Sequence, residues 1–172
     1  MPDQNGYGRL QLQPENKNGI LATHFQFELR RLSNTTFFCQ SVNFPGLELT
    51  AIEQATIFNP IMRPAGILKH DPLSINFMVD EKFQNWLELY NWLQECSNES
   101  DFNKYRGPEK HLNSEAILFI HDSNNNPKFK VTFDNMFPTS LGGLNFQTGT
   151  MNSQFQYSAA SFEYTTFRFT EI

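Results

Sequence analysis

Between Thr23 and Arg31 the chain alternates, with Phe25, Phe27 and Leu29 on one side and His24, Gln26, Glu28 and Arg30 on the other. A period of two marks a half-buried strand. Ser33-Asn34 reads as a tight turn into a second strand over 35–42, so a hairpin is predicted there. Phe44-Pro45-Gly46 then breaks the run, because proline holds one backbone angle and glycine admits its opposite. The strand-like pieces within 47–69, arranged around Asn59-Pro60, predict a long hairpin or loop that projects from the body.

The clearest strand is Leu73, Ile75, Phe77 and Val79 alternating with Ser74, Asn76 and Met78. It runs into a helix predicted over 81–96, with Asp80 as N-cap and Glu81 facing the positive end of the helix dipole. Phe83, Trp86, Leu87, Tyr90 and Leu93 recur at helical spacing as the face laid on the sheet, and Trp92, off that stripe, is expected to turn part of its ring toward a partner. Residues 97–113 are too polar and too long for an ordinary connection, and such segments are usually functional or ordered by a partner. Residues 116–122 are apolar on both faces and read as a central strand. A turn at 123–127 returns the chain through Phe129, Val131 and Phe133, completing a second hairpin. Residues 136–146 combine a proline turn with Gly142-Gly143, and 160–169 read as one long aromatic strand.

Seven or eight strands and one substantial helix predict a mainly β fold, a β-sandwich or squashed barrel of antiparallel strands with one α-helix packed on it. Residues 1–22 are polar and aperiodic, the pattern of a flexible N-terminal arm; residues 23–172 read as a single domain. The length of 172 residues fits one domain with a core of its own. Composition points the same way, with 18 Phe against 5 Tyr and 2 Trp, and Asn and Gln together about a sixth of the chain.

Charge and cysteine content narrow the chemistry. Thirteen Lys and Arg face eighteen Asp and Glu, a net charge of -5, which disfavours attraction to nucleic acid. Cys39 and Cys96 read as free thiols, and with no apolar leader or spanning run the expectation is a soluble protein of the cytoplasm with no membrane insertion. His24, His70, His111 and His121 lie on separate elements without helical pairing, so no metal site is expected. GxSxG, HExxH and phosphate-loop patterns are absent, and the adjacent Asp80-Glu81 pair reads as a helix cap rather than an acid and base. No enzyme activity and no cofactor is predicted. The alternating aromatics read as core, with a base- or sugar-stacking platform as the other possibility.

Taken in order, these landmarks resemble the tail tube proteins of contractile-tailed bacteriophages. The resemblance is carried by Phe44-Pro45-Gly46, by Asn59 and Ala65-Gly66, and by Leu73-x-Ile75-x-Phe77-Met78-Val79-Asp80-Glu81 followed by Phe83 and Trp86. It continues through the hairpin at 116–134, Phe137-Pro138-Thr139-x-x-Gly142-x-Leu144-x-Phe146 and the terminal aromatic strand. It spans about residues 20–170 and leaves out the arm and the 97–113 loop.

The resemblance implies a structural virion protein, assembled in the host cytoplasm into hexameric rings that stack as the inner tail tube. Its partners would be other copies of itself, the tail sheath, the baseplate tube initiator, the tape-measure protein and the tail terminator. Genomic DNA would pass through the lumen without specific binding. A terminator or completion ring of the same fold is the alternative, with a carbohydrate-binding β-sandwich behind it. Glu48, Glu53, Asn59 and Arg63 are the candidate lumen or inter-ring contacts; the other reading makes them solvated strand residues.

Overall fold

The computed structural model describes residues 18–97, 113–148 and 155–172, so most of the predicted arm and of the 97–113 loop lies outside the described residues. The elements run β1 (Phe25–Leu29), α1 (Ser33–Phe37), β2 (Cys39–Asn43), β3 (Leu47–Gln54), β4 (Ile61–His70) and β5 (Leu73–Met78). After these come α2 (Gln84–Ser97), β6 (Ser114–His121), β7 (Pro127–Leu141), β8 (Tyr157–Glu163) and β9 (Thr166–Glu171). Seven strands form one antiparallel sheet in the order β1-β6-β7-β8-β5-β2, with β9 also on β7; among the described residues β3 and β4 pair only with each other. The mainly β, antiparallel fold read from the sequence is the observed one.

The alternating positions do what their pattern requires. Leu73, Ile75 and Phe77 on β5, Val131 and Phe133 on β7 and Phe162 on β8 are fully buried and share one core with Phe27, Leu29 and Leu118. The fifteen-residue β7 holds this core together. Its first half pairs with β6 on one side and β9 on the other, and from Phe137 onward it pairs with β8. Asn135, at φ 55, marks the change.

Several predicted elements take another form. The predicted hairpin of 23–31 with 35–42 does not form: β1 pairs with β6 and β2 with β5, and residues 33–37 are a short helix. Thr36 explains the switch, since its hydroxyl accepts from Leu29 N at 2.9 Å and donates to Leu32 O at 3.0 Å, offering the backbone a local partner. Pro138 does not turn the chain. It sits within β7 opposite Phe162, beside a bulge that tolerates the missing N–H. The terminal aromatic stretch is two strands, broken at Tyr164 and Thr165, where the chain passes from β8, paired with β5, to β9, paired with the first half of β7.

The helix begins at Gln84 rather than 81. Phe83 takes φ 63, and its carbonyl receives the first helical N–H, from Leu87 at 3.1 Å; Asp80 caps one turn later than predicted, its carboxylate accepting Gln84 N at 2.8 Å. The packed face is Asn85, Leu89 and Trp92, one position away from the predicted stripe. Leu87 and Tyr90 are exposed, and Phe83, Trp86 and Tyr90 form an aromatic ladder along the helix flank. Trp92 is buried against Phe162 with the Arg31 guanidinium over its ring, so it turns no part toward a partner.

Asn85 is fully buried and ties the helix to β5. Its amide donates to Met78 O at 2.8 Å, and its Oδ1 accepts Asp80 N at 3.3 Å. Asn85→Ala leaves both main-chain groups unpaired and should destabilise the fold by about 2–4 kcal/mol in a urea titration. A loss below ~1 kcal/mol would contradict this role.

Two groups titrate late. Burial pushes the Cys39 thiol up from 9.0 to about 11, against a smaller opposing hydrogen bond with the Ser41 backbone. Burial, helped by Glu163 and Asp71, pushes the Tyr164 hydroxyl up from 10.0 to about 12. Each group releases its proton from the unfolded chain first, so stability falls as pH climbs through the window from the ordinary values to the raised ones. Melting temperatures measured across that alkaline window should decline, and the Cys39→Ser/Tyr164→Phe double variant should decline less; parallel curves would count against the assignment.

Candidate assembly surface

No group of three or more His, Cys, Asp or Glu side chains suited to a metal ion occurs among the described residues. Cys39 and Cys96 are free thiols, and no described helix is long and apolar enough to cross a membrane. The feature that stands out is the ribbon of β3 and β4. Eight residues of β3 at about 3.4 Å each carry it roughly 25 Å along its axis.

Leu47, Leu49, Ile52, Ile61, Met62, Ile67 and Leu68 are all about half exposed or more, and Ile57 and Phe58 in the connecting loop are 95% and 92% exposed. A two-stranded ribbon alone is at best marginally stable in water, and this much contiguous exposed apolar surface marks an interaction site.

Register assigns the faces. Leu47 opposes His70, Leu49 opposes Leu68, Ala51 opposes Pro64 and Glu53 opposes Met62, which puts all eight on one face. Glu48 opposite Lys69, Ile52 opposite Arg63 and Gln54 opposite Ile61 occupy the other. Around Thr50 the register slips by extra residues on β4, at the bulge that contains Gly66 with φ 77. Apolar side chains thus occur on both faces, whereas a ribbon lying on one surface would be polar on the other.

The four predicted contact residues all belong to this ribbon but are not gathered into one site. Glu48 and Arg63 share the more charged face with Lys69. Glu53 lies on the opposite face, and Asn59 sits in the loop, where its N–H and carbonyl both bond the Thr56 hydroxyl. Among the described residues, Glu48, Glu53 and Arg63 make no ion pair.

Both legs of the ribbon are fastened to the body at its root. Asp71 N donates to Gly46 O at 3.1 Å, and the Tyr164 hydroxyl donates to Asp71 O at 2.9 Å. Phe44, on the first leg, packs its ring against Phe133, Phe167 and Phe169; His70, on the second, packs against Tyr164 and Phe167. The sequence pattern does not single out Tyr164 or the Ile57-Phe58 tip. The available signal for the tip was an apolar pair beside Asn59-Pro60, where a turn is ordinarily polar.

Three further edges are open. The outer edges of β1 and β2, each five residues long, and of β9, six residues long, pair with no described strand, and β2 carries a bulge.

Comparison with known proteins places the chain in a family. The curated tail tube terminator protein of Enterobacteria phage T4 is 30% identical over 89 residues, a match covering 47% of this chain and 49% of that protein, so the chain spans about half the length of this relative. Among solved structures, a chain from the tube-terminating cap of the anti-feeding prophage superposes with TM-score 0.67 at 12% identity, covering 96% of this chain and 100% of that one. A chain from the sheath/tube terminator of an extracellular contractile injection system gives TM-score 0.64 at 14% identity, covering 90% of this chain and 98% of the other. At such identities the structural likeness is one of fold. The family model described as phage tail tube protein matches residues 11–170, and the chain belongs to that family.

Proposed function

We propose that this protein is a tail tube terminator: copies of it close into a ring, six by analogy with a related baseplate described as six-fold symmetrised, and the ring seats on the end of a tail tube. The observation that carries assembly is the ribbon with apolar side chains on both faces. One covering surface would leave the other face wet, so the ribbon is suited to insertion between two neighbouring bodies. Covering Ile57 and Phe58 alone contributes about 3–6 kcal/mol, which offsets part of the cost of ordering the loop at the ribbon tip. The choice of terminator over repeating tube subunit rests on the likeness to the T4 terminator. The second reading, a subunit of the tube itself, is favoured by the description of the matching family.

On either reading the protein is a structural component of the virion tail, assembled in the host cytoplasm. It works beside tube, sheath and baseplate proteins, as the complexes that contain its structural relatives suggest. DNA passes through the ring. The ribbon's charged face carries Glu48, Arg63 and Lys69, a net of one positive charge. It is suited to ion pairing with the next subunit, with Arg63 reaching a carboxylate of a neighbour and Asn59 meeting the adjoining ring at the ribbon tip. The free edges of β1, β2 and β9 are short, which limits how much ring closure can draw from strand pairing alone.

Concentrated pure protein viewed by negative-stain microscopy should show single rings that do not elongate and that cap tube ends when tubes are added. Long tubes formed by the protein alone would favour the tube-subunit reading, and persistent single copies would overturn both. The Ile57→Ser/Phe58→Ser variant should abolish ring formation while shifting the melting temperature of the isolated chain by no more than about 1–2 °C, as for surface changes. Unimpaired rings would remove the ribbon tip from the interface.

A further inference from the structure

The ribbon is useful for assembly only if it leaves the body in a fixed direction, and its own two strands cannot set that direction. It belongs to a separate two-stranded sheet, and nearly every ribbon side chain between 47 and 69 is exposed. The direction must be set at the root, where two short legs, Phe44 to Gly46 and His70 to Pro72, enter the body. Besides the ring contacts of Phe167 on both legs, one side chain at the break between β8 and β9 both hydrogen-bonds this junction and packs on it.

We propose that Tyr164 is a positioning residue for the ribbon: from the break between β8 and β9, its hydroxyl holds Asp71 O while its ring packs on His70 and Phe133, latching the root to the core. Tyr164 is 8% exposed, and the Phe133 ring against it is fully buried. The latched residue is itself the link between the legs, because Asp71 N donates to Gly46 O. A three-part chain results, from core to Tyr164, from Tyr164 to Asp71, and from Asp71 to Gly46. Burial and the nearby carboxylates keep the hydroxyl protonated, and so able to donate, well beyond neutral pH. The inference rests on the reading of the ribbon as the assembly element.

Hydrogen exchange followed by mass spectrometry on the full-length isolated chain, with ring formation measured in parallel, tests it. Tyr164→Phe keeps the ring and removes the hydroxyl. Amides at the root, including that of Asp71, should exchange about five- to tenfold faster, while those of β5, β6 and β7 keep wild-type rates. Ring formation should weaken over the same protein concentrations. Gly46→Ala serves as the control. Its Cβ would fall 2.7 Å from Asp71 Oδ2, an exposed carboxylate free to swing aside, so it disturbs the same spot without touching the hydroxyl and should leave root exchange near wild type. Unchanged root exchange in Tyr164→Phe overturns the latch. Faster exchange throughout the core would show general loosening and overturn positioning. Faster root exchange with undiminished ring formation leaves the latch standing and counts instead against the ribbon as the assembly element.

Discussion

The constraint on which the rest of the structure depends is that β3 and β4 carry apolar side chains on both faces and, among the described residues, meet nothing that covers them. The body of the protein solves its burial problem internally: Phe77, Phe133 and Phe162 are sealed in one core, and the buried Asn85 is satisfied by main-chain partners. The ribbon has no such solution. The two-faced distribution of Leu49 and Leu68 against Ile52 and Ile61 calls for cover on both sides, which we assign to neighbouring subunits. A surface of this kind fits membership of a family described as phage tail tube protein.

How the incomplete part is held explains several otherwise separate details. The split of the terminal aromatic stretch into β8 and β9 places Tyr164 at the crossing, next to the ribbon's root. Phe44, Phe167 and Phe169 fill the space between the first leg and the sheet. A rigid root lowers the entropy that must be lost when the ribbon is captured, the same gain that preorganisation brings to any binding loop.

Much of this was legible in the sequence, and the limits have physical causes. The projecting hairpin followed from Phe44-Pro45-Gly46 and Asn59-Pro60, because turn chemistry is local. The strand at 73–78 and the hairpin around 123–127 followed from alternation. The helix was found but placed one position off in phase, since Phe83, Trp86 and Tyr90 recur at helical spacing in order to stack on one another, while the buried stripe runs through a polar residue, Asn85. The hairpin expected from 23–42 failed because Thr36 bonds its own neighbourhood, and a hydroxyl's choice of partner does not show in a pattern of apolar positions. The predicted contacts Glu48, Glu53, Asn59 and Arg63 were placed on the right element but not on one face, since faces depend on register. The expectation of assembly came from the family resemblance; in the structure the free strand edges are short, and the apolar ribbon is the larger unsatisfied surface.

The most direct test of that central claim is oxidative footprinting of Met62 and Phe58 in the isolated subunit and in purified tails, since solvent-accessible methionine and aromatic side chains are readily modified. The account predicts heavy labelling of both residues in the free chain and strong protection of both in the tail. Equal labelling in the two states would mean that the ribbon stays bare after assembly, and the account would be contradicted.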